Sequence, residues 1–237
     1  MPETPALPQV RQLVFLAADL DATLADARSG LGLRQGIKDE QGMADLGFVH
    51  EVLTIGSTFL EFTAPLGPDT MPARLLAKRG GDLGYMVVVQ VDDAERTKKR
   101  ALDRGLTLVM ETPYEGHTIT QWHPRGLGTL AEFDQIRPAD SWHYAPRVFE
   151  TGCTDVVGDY TAVELAVRDP HAVAATWADV LEVEVAADGV SLDLPGAALR
   201  FVPTDGAEGL VAVELPATDR AQAGRTVRLS GVDFRLV

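Results

Sequence analysis

Residues 12–19 of the chain, Gln-Leu-Val-Phe-Leu-Ala-Ala-Asp, return twice further along it. Met86-Val-Val-Val-Gln-Val-Asp-Asp93 lies 74 positions later, and Ala162-Val-Glu-Leu-Ala-Val-Arg-Asp169 lies 150 positions later. Each copy is an apolar strand that ends at an Asp, and helical spacing of apolar residues follows. A period of about 75 residues is longer than a solenoid turn and suits a supersecondary unit duplicated inside one domain. Positions that share a role can therefore be compared by laying the copies over one another.

The first copy predicts strand, helix and three further strands. Gln12–Ala17 is rich in β formers, and Asp19 is placed to cap a helix over 20–30 with Leu20, Leu24 and Ala27 on one face. That helix ends at Gly30 or Gly32. Leu33–Ile37, Phe48–Ile55 and Thr58–Thr63 read as strands, the last two joined by the two-residue turn Gly56-Ser57. The second copy repeats the order with Tyr85–Val91, a helix over 93–104, Thr107–Met110, His117–His123 and Thr129–Phe133. Asp39-Glu40-Gln41 reads as a solvated loop.

Residues 64–83 join these copies and hold a short helix, Met71–Arg79, before Gly80-Gly81. The next junction carries Trp142, Tyr144 and Phe149, which suit a connection packed onto the body better than a flexible tether. The third copy predicts a strand at 160–167, a helix at 169–181 and strands at 184–187, 190–194 and 198–203. A fourth stretch has Leu210–Leu215, Thr226–Leu229 and Val232–Val237, with about eight residues where a helix belongs. The expected organisation is residues 1–135 (modules 10–65 and 83–135), a packed linker at 136–158, and a truncated second copy at 159–237.

A formal charge of −14 supplies no basic patch to screen phosphates, which argues against nucleic acid and anionic membranes as partners. The opening Met-Pro-Glu-Thr-Pro-Ala-Leu-Pro has neither a basic nor an apolar targeting region, so a cytoplasmic location is expected. The single cysteine, Cys153, excludes an intrachain disulfide and reads as a small buried hydrophobe. No nucleophile elbow, phosphate loop or dinucleotide fingerprint is present in the sequence.

The paired βαβββ unit, with Asp19 and Asp93 closing the first strands and Leu60-Glu-Phe and Ala131-Glu-Phe in the last, resembles the vicinal oxygen chelate superfamily of glyoxalases, extradiol dioxygenases, methylmalonyl-CoA epimerase and bleomycin-resistance proteins. The resemblance covers 10–135 well and 159–237 loosely. It implies an α+β fold in which two modules curl their sheets into a half-open barrel, here followed by a reduced second copy. It also implies a divalent cation, held by a residue from the first and the fourth strand of each module, that takes two substrate oxygens.

Carried over residue by residue, those positions are Gln12, Glu61, Met86 and Glu132. Gln12, Glu61 and Glu132 are competent oxygen donors for a metal, but the thioether of Met86 is a soft ligand and leaves the set incomplete. Strand alternation puts Gln121 and His123 on one face and His50 on the corresponding face of another strand, so His50, Met86, Gln121 and His123 are the expected substrate contacts. In the third copy Gln12 becomes Ala162, Glu61 becomes Arg200 or Phe201, and the fourth stretch offers Phe234 or Arg235, so this half is expected to carry no ligand.

Two function classes follow. One is an enzyme using Glu61 or Glu132 as catalytic base on a small oxygenated metabolite, by lyase, isomerase or dioxygenase chemistry. The other is a protein that binds and sequesters a small molecule without turnover, the reading toward which Met86 tilts. The expected partner is a small molecule, with homodimerisation left open.

Overall fold

The structure, a computed structural model, describes residues 6–114 and 117–237. The first module runs β1 (Gln9–Leu16), α1 (Leu20–Leu31), α2 (Glu40–Ala44), β2 (Phe48–Thr54) and β3 (Phe59–Pro65), and α3 (Met71–Arg79) leads out of it. The second has β4 (Leu83–Gln90), α4 (Ala94–Asp103), β5 (Leu108–Tyr114), β6 (His117–Trp122) and β7 (Leu130–Gln135). After the short α5 (Arg147–Glu150), the third has β8 (Ala162–Val167), α6 (Pro170–Leu181), β9 (Ser191–Asp193) and β10 (Ala198–Pro203). The fourth has β11 (Gly209–Leu215), a single 3-10 turn at Arg220–Gln222, β12 (Thr226–Leu229) and β13 (Val232–Leu236). The reduced second copy thus has its first helix and lacks its second. Among the described residues no helix is long and apolar enough to cross a membrane.

The repeated Asp does the same work in all four modules. Asp19, Asp93 and Asp169 accept from the amides of Ala22, Arg96 and Ala172 at the start of α1, α4 and α6, and Asp219 accepts from Ala221 at the 3-10 turn. In each module the first and last strands pair in parallel: β1 with β3, β4 with β7, β8 with β10 and β11 with β13.

The chain divides into two compact units that cut across this order. Among the described residues, one takes those up to 11, 86–142 and 162–210, and so holds the second and third modules. The other takes 12–85, 143–161 and 211–237, the first and fourth modules with the end of the junction. In the first unit Trp177 of α6 stands edge-on to Phe133 at 5.7 Å, and its indole N–H donates to Leu127 O at 2.9 Å. Arg100 and Arg104 of α4 pair with Asp179 of α6. In the second unit Phe15 stacks on Phe62 at 5.0 Å and meets Phe234 at 5.2 Å. The α1 helix covers its sheet with Leu24, Ala27 and Leu31, all fully or almost fully buried. Gly30 lies inside α1, where a Cβ would come within 2.7 Å of Val227, while Gly32 in the left-handed conformation ends the helix.

Three local expectations are corrected. Leu33–Ile37 is not a strand: only Ile37 bridges Val52, and the neighbouring Gly36 N–H donates to the Glu51 carboxylate at 2.6 Å. Residues 184–187 form no strand either, since Glu182 turns the chain through a left-handed α6 cap and only Ala186 N–H reaches Ser191. The loop expected at Asp39-Glu40-Gln41 is the start of α2, with Asp39 Oδ1 accepting from Gly42. Cys153 is buried and unpaired, and the junction is packed: Phe149 meets Phe59 edge-on at 5.7 Å, and Arg11 lies 5.0 Å over the Trp142 ring.

Candidate functional site

Register brings three of the expected residues together in the first module. On β1 and β3, Val14 stands opposite Glu61, so Gln12, two residues back, is on the same face and within a side chain's reach. On β2, Val52 stands opposite Glu61 and His50 opposite Thr63, which puts His50 diagonally on the other flank. Gln12 Nε2 donates to Glu61 Oε2 at 2.7 Å, and His50 Nδ1 lies 2.6 Å from Glu61 Oε1. His50 Nε2 accepts the Asp39 N–H at 3.0 Å. The carboxylate is 7% exposed and His50 4%. Tyr144, with its ring centroid 6.2 Å from that of His50, closes one side.

In the second module Val88 and Gln121 both stand opposite Glu132, and Met86 is two residues before Val88. Gln121 Nε2 donates to Glu132 Oε2 at 2.6 Å, and Met86 is buried. Two residues on from Glu132, and so on the same face, lies Asp134. Burial pushes its carboxyl up to about 8, against the opposing pull of a hydrogen bond with Glu132. At neutral pH Asp134 is therefore a protonated acid beside Glu132. Opposite Asp134 on β4, Gln90 accepts from Arg11 at 2.7 Å and donates to Ala139 O at 2.8 Å. His123 lies past the end of β6, exposed, with Nδ1 accepting from Arg125 N–H at 3.1 Å, and joins neither group.

The same register settles the other two copies. Arg200 stands opposite Glu164 and Arg235 opposite Glu214, as Glu61 stands opposite Val14. Phe201 and Phe234 are turned into the apolar cores. Where the first two modules carry a Glu on the last strand, the third and fourth carry an Arg across from a Glu on the first strand. Arg200 Nη1 is 3.7 Å from Glu164 Oε1.

Gln12, Glu61, Met86 and Glu132 do not fit a hard divalent cation. Gln12 turns its amide N–H to Glu61, since the reverse orientation would set two oxygens 2.7 Å apart. Both ring nitrogens of His50 are already engaged. Met86 offers only sulfur where an oxygen or nitrogen is wanted.

Sequence reasoning missed Asp134, Asp39 and Tyr144. Period-two alternation from Glu132 was signal enough for Asp134; Asp39 acts through its backbone, which no residue type announces, and Tyr144 arrives on the junction.

No protein-family model and no curated protein matches the chain. Among solved structures it is similar to a methylmalonyl-CoA epimerase in complex with methylmalonyl-CoA and NH4+, at 20% identity over 58% of this chain and 100% of that one, with a TM-score of 0.50. A Streptomyces coelicolor methylmalonyl-CoA epimerase variant in complex with 2-nitronate-propionyl-CoA gives the same identity, coverage and TM-score. The Mycobacterium tuberculosis epimerase aligns at 22% identity over 58% of this chain and 94% of its own, with a TM-score of 0.49. The fold is one shared with the first of these methylmalonyl-CoA epimerases, an α+β architecture of βαβββ modules. That alignment covers 58% of the chain.

Proposed function

We propose that the protein is an isomerase-type enzyme in which Glu61 removes a proton from the carbon beside a carbonyl or thioester of a small oxygenated acid, without a metal. The observation that carries this is the setting of Glu61, buried at 7% exposure with one oxygen on Gln12 and the other on His50. Each carboxylate oxygen keeps a second lone pair. One of these takes the substrate proton while Gln12 and His50 hold the carboxylate plane. Returning that proton to a neighbouring carbon on the same face completes an isomerisation with no co-reactant. A positioned acid or base of this kind contributes about 10²–10⁴-fold. The ligands of the epimerase neighbours are coenzyme A esters, so acyl thioesters with an acidic α-carbon are the first class to test.

The test is proton washout. Acyl thioesters and 2-oxo acids are incubated with the protein in D2O, and loss of the α-proton signal is followed by NMR. Wild-type protein is expected to exchange at least one of them, and Glu61→Gln to lose that activity. Met86 favours a second reading, a pocket that binds and sequesters a small molecule. Saturable binding of a compound with no exchange by the wild type would select it.

A further inference from the structure

A backbone N–H can only donate, so the His50 Nε2 that receives the Asp39 N–H at 3.0 Å must hold a lone pair. The ring proton then sits on Nδ1 and is directed at Glu61 Oε1, 2.6 Å away. An imidazolium would turn an N–H against the Asp39 amide. His50 is thus a fixed donor to Glu61, and the group that fixes it lies on another segment.

That segment is lightly held. It leaves the sheet after Ile37, whose N–H and C=O both pair with Val52, and rejoins at Gly47, whose carbonyl accepts Leu66 N–H and whose φ is +82°. Between these anchors α2 buries none of its residues, and Leu46 is 50% exposed. Lys38 Nζ approaches the buried Glu51 carboxylate only to 3.7 Å. Asp39 both caps α2 and donates to His50. A helix with no buried side chain is held by backbone and capping bonds, and these belong to the low-stability end of a structure.

We propose that His50 is a positioning residue for Glu61, and that residues 38–47 form a closing segment whose Asp39 amide anchors the far side of the His50 ring in the tautomer and orientation that aim the carboxylate. The role in turnover rests on the acid–base reading of Glu61; the tautomer and the closure do not. With the segment closed, the proton is confined to Nδ1 and Glu61 is held from both sides. With it open, Nδ1–H still bonds Glu61 but Nε2 has lost the Asp39 N–H, so the imidazole is held at one nitrogen only and Glu61 is aimed less firmly.

Three measurements on the full chain test this. In protein labelled with 15N-histidine, two-bond proton–nitrogen correlation at neutral pH should show His50 protonated on Nδ1 and bare on Nε2, assigned by loss of the signal in His50→Gln. Finding the proton on Nε2 overturns the proposal, and this readout needs no variant to fold.

Amide exchange is the second measurement. Asp39 N–H should exchange about tenfold more slowly than an unbonded amide, the worth of one hydrogen bond. His50→Asn keeps a donor for Glu61 but no acceptor for Asp39 and should lose that protection; His50→Gln reaches the Nε2 position and should retain it. Protected β2 and β3 amides report that both variants are folded. Unchanged Asp39 exchange in His50→Asn overturns the closure.

The third is turnover, in which both variants should lose about tenfold in kcat with KM within twofold. A rise in KM alone would make His50 a substrate contact instead. Absence of α-proton exchange by the wild type with the expected tautomer and protection would defeat the acid–base reading and with it the catalytic role, leaving the closure itself in place.

Discussion

Glu61 and Glu132 occupy one register position in two copies of the same unit, yet their neighbours give them different chemistry. Glu61 has donors from both flanking strands, Gln12 and His50. Glu132 has a donor, Gln121, and a protonated acid, Asp134, whose carboxyl is pushed up to about 8 by burial. The copies diverge at a few positions: Gln12 becomes Met86, His50 becomes Ile119 and Thr63 becomes Asp134. The repeated backbone sets where the carboxylate stands. The residues opposite and diagonal to it decide whether it is restrained as a base or coupled to a proton.

The sharpest way to break this contrast is to remove each carboxylate in turn. Glu61→Gln should reduce α-proton exchange by about 10²–10⁴-fold, and Glu132→Gln by clearly less. The amide is nearly isosteric, so circular dichroism and the urea midpoint should hardly move. The reverse order of activities would place the base in the second module.

Two carboxylates shifted in opposite directions, Asp134 and Asp159, give the next two tests. Asp134 has its folded pKa raised from 3.8 to about 8, so the folded state keeps a proton that the unfolded chain releases. The stability linked to it is fully present below pH 3.8 and is lost as pH rises through about 8. The slope approaches ~1.4 kcal/mol per pH unit inside that window. Asp134→Asn should remove this slope from urea unfolding measured between pH 5 and 9; an unchanged profile would show that Asp134 is not the buried acid.

Asp159 goes the other way. Burial raises its pKa, but the Thr58 hydroxyl, the amides of Ser57 and Gly56 and the Ser57 hydroxyl outweigh that and hold it below its ordinary value. Its contribution is present above the unfolded pKa and is lost as pH falls through the lowered folded value. Asp159→Asn should cost stability at pH 7 and progressively less below pH 4. A constant difference across that range would mean that the charge on Asp159 does not matter.

Much of the fold was legible because the repeat supplied its own alignment. The strand–Asp–helix pattern gave α1, α4 and α6 with their capping residues, and the gap between Leu215 and Thr226 showed that a helix was missing. Leu33–Ile37 and residues 184–187 misled because β propensity says nothing about where a backbone donor goes. The first stretch meets β2 only at Ile37, and the other follows a left-handed cap. Gly56 was read as a turn residue and does sit in the turn, but a Cβ there would come within 2.8 Å of the Asp159 carboxylate, a contact 103 residues away that no local pattern encodes. At the site, the resemblance pointed to Gln12 and Glu61, and strand alternation pointed to His50. Neither could say that His123 falls beyond its strand, or that a main-chain amide at Asp39 would anchor the His50 ring.

The smallest effect is expected where the repeat has exchanged acid for ion pair. Arg200 and Arg235 stand where Glu61 and Glu132 stand in the first two modules, each opposite a Glu on the neighbouring strand. A guanidinium cannot accept a proton from carbon, because it stays charged throughout the working range. Arg200 has a side chain 39% exposed and sits 3.7 Å from Glu164, the loose geometry of a solvated cross-strand pair. Arg200→Ala should therefore leave α-proton exchange within twofold and stability within about 0.5 kcal/mol. Ala162→Gln, which restores the side chain found at Gln12, should confer no new activity because no carboxylate waits across the sheet. A loss of turnover in Arg200→Ala, with an unchanged urea midpoint, would show that the second half handles a ligand of its own and that the ion pair marks a second site.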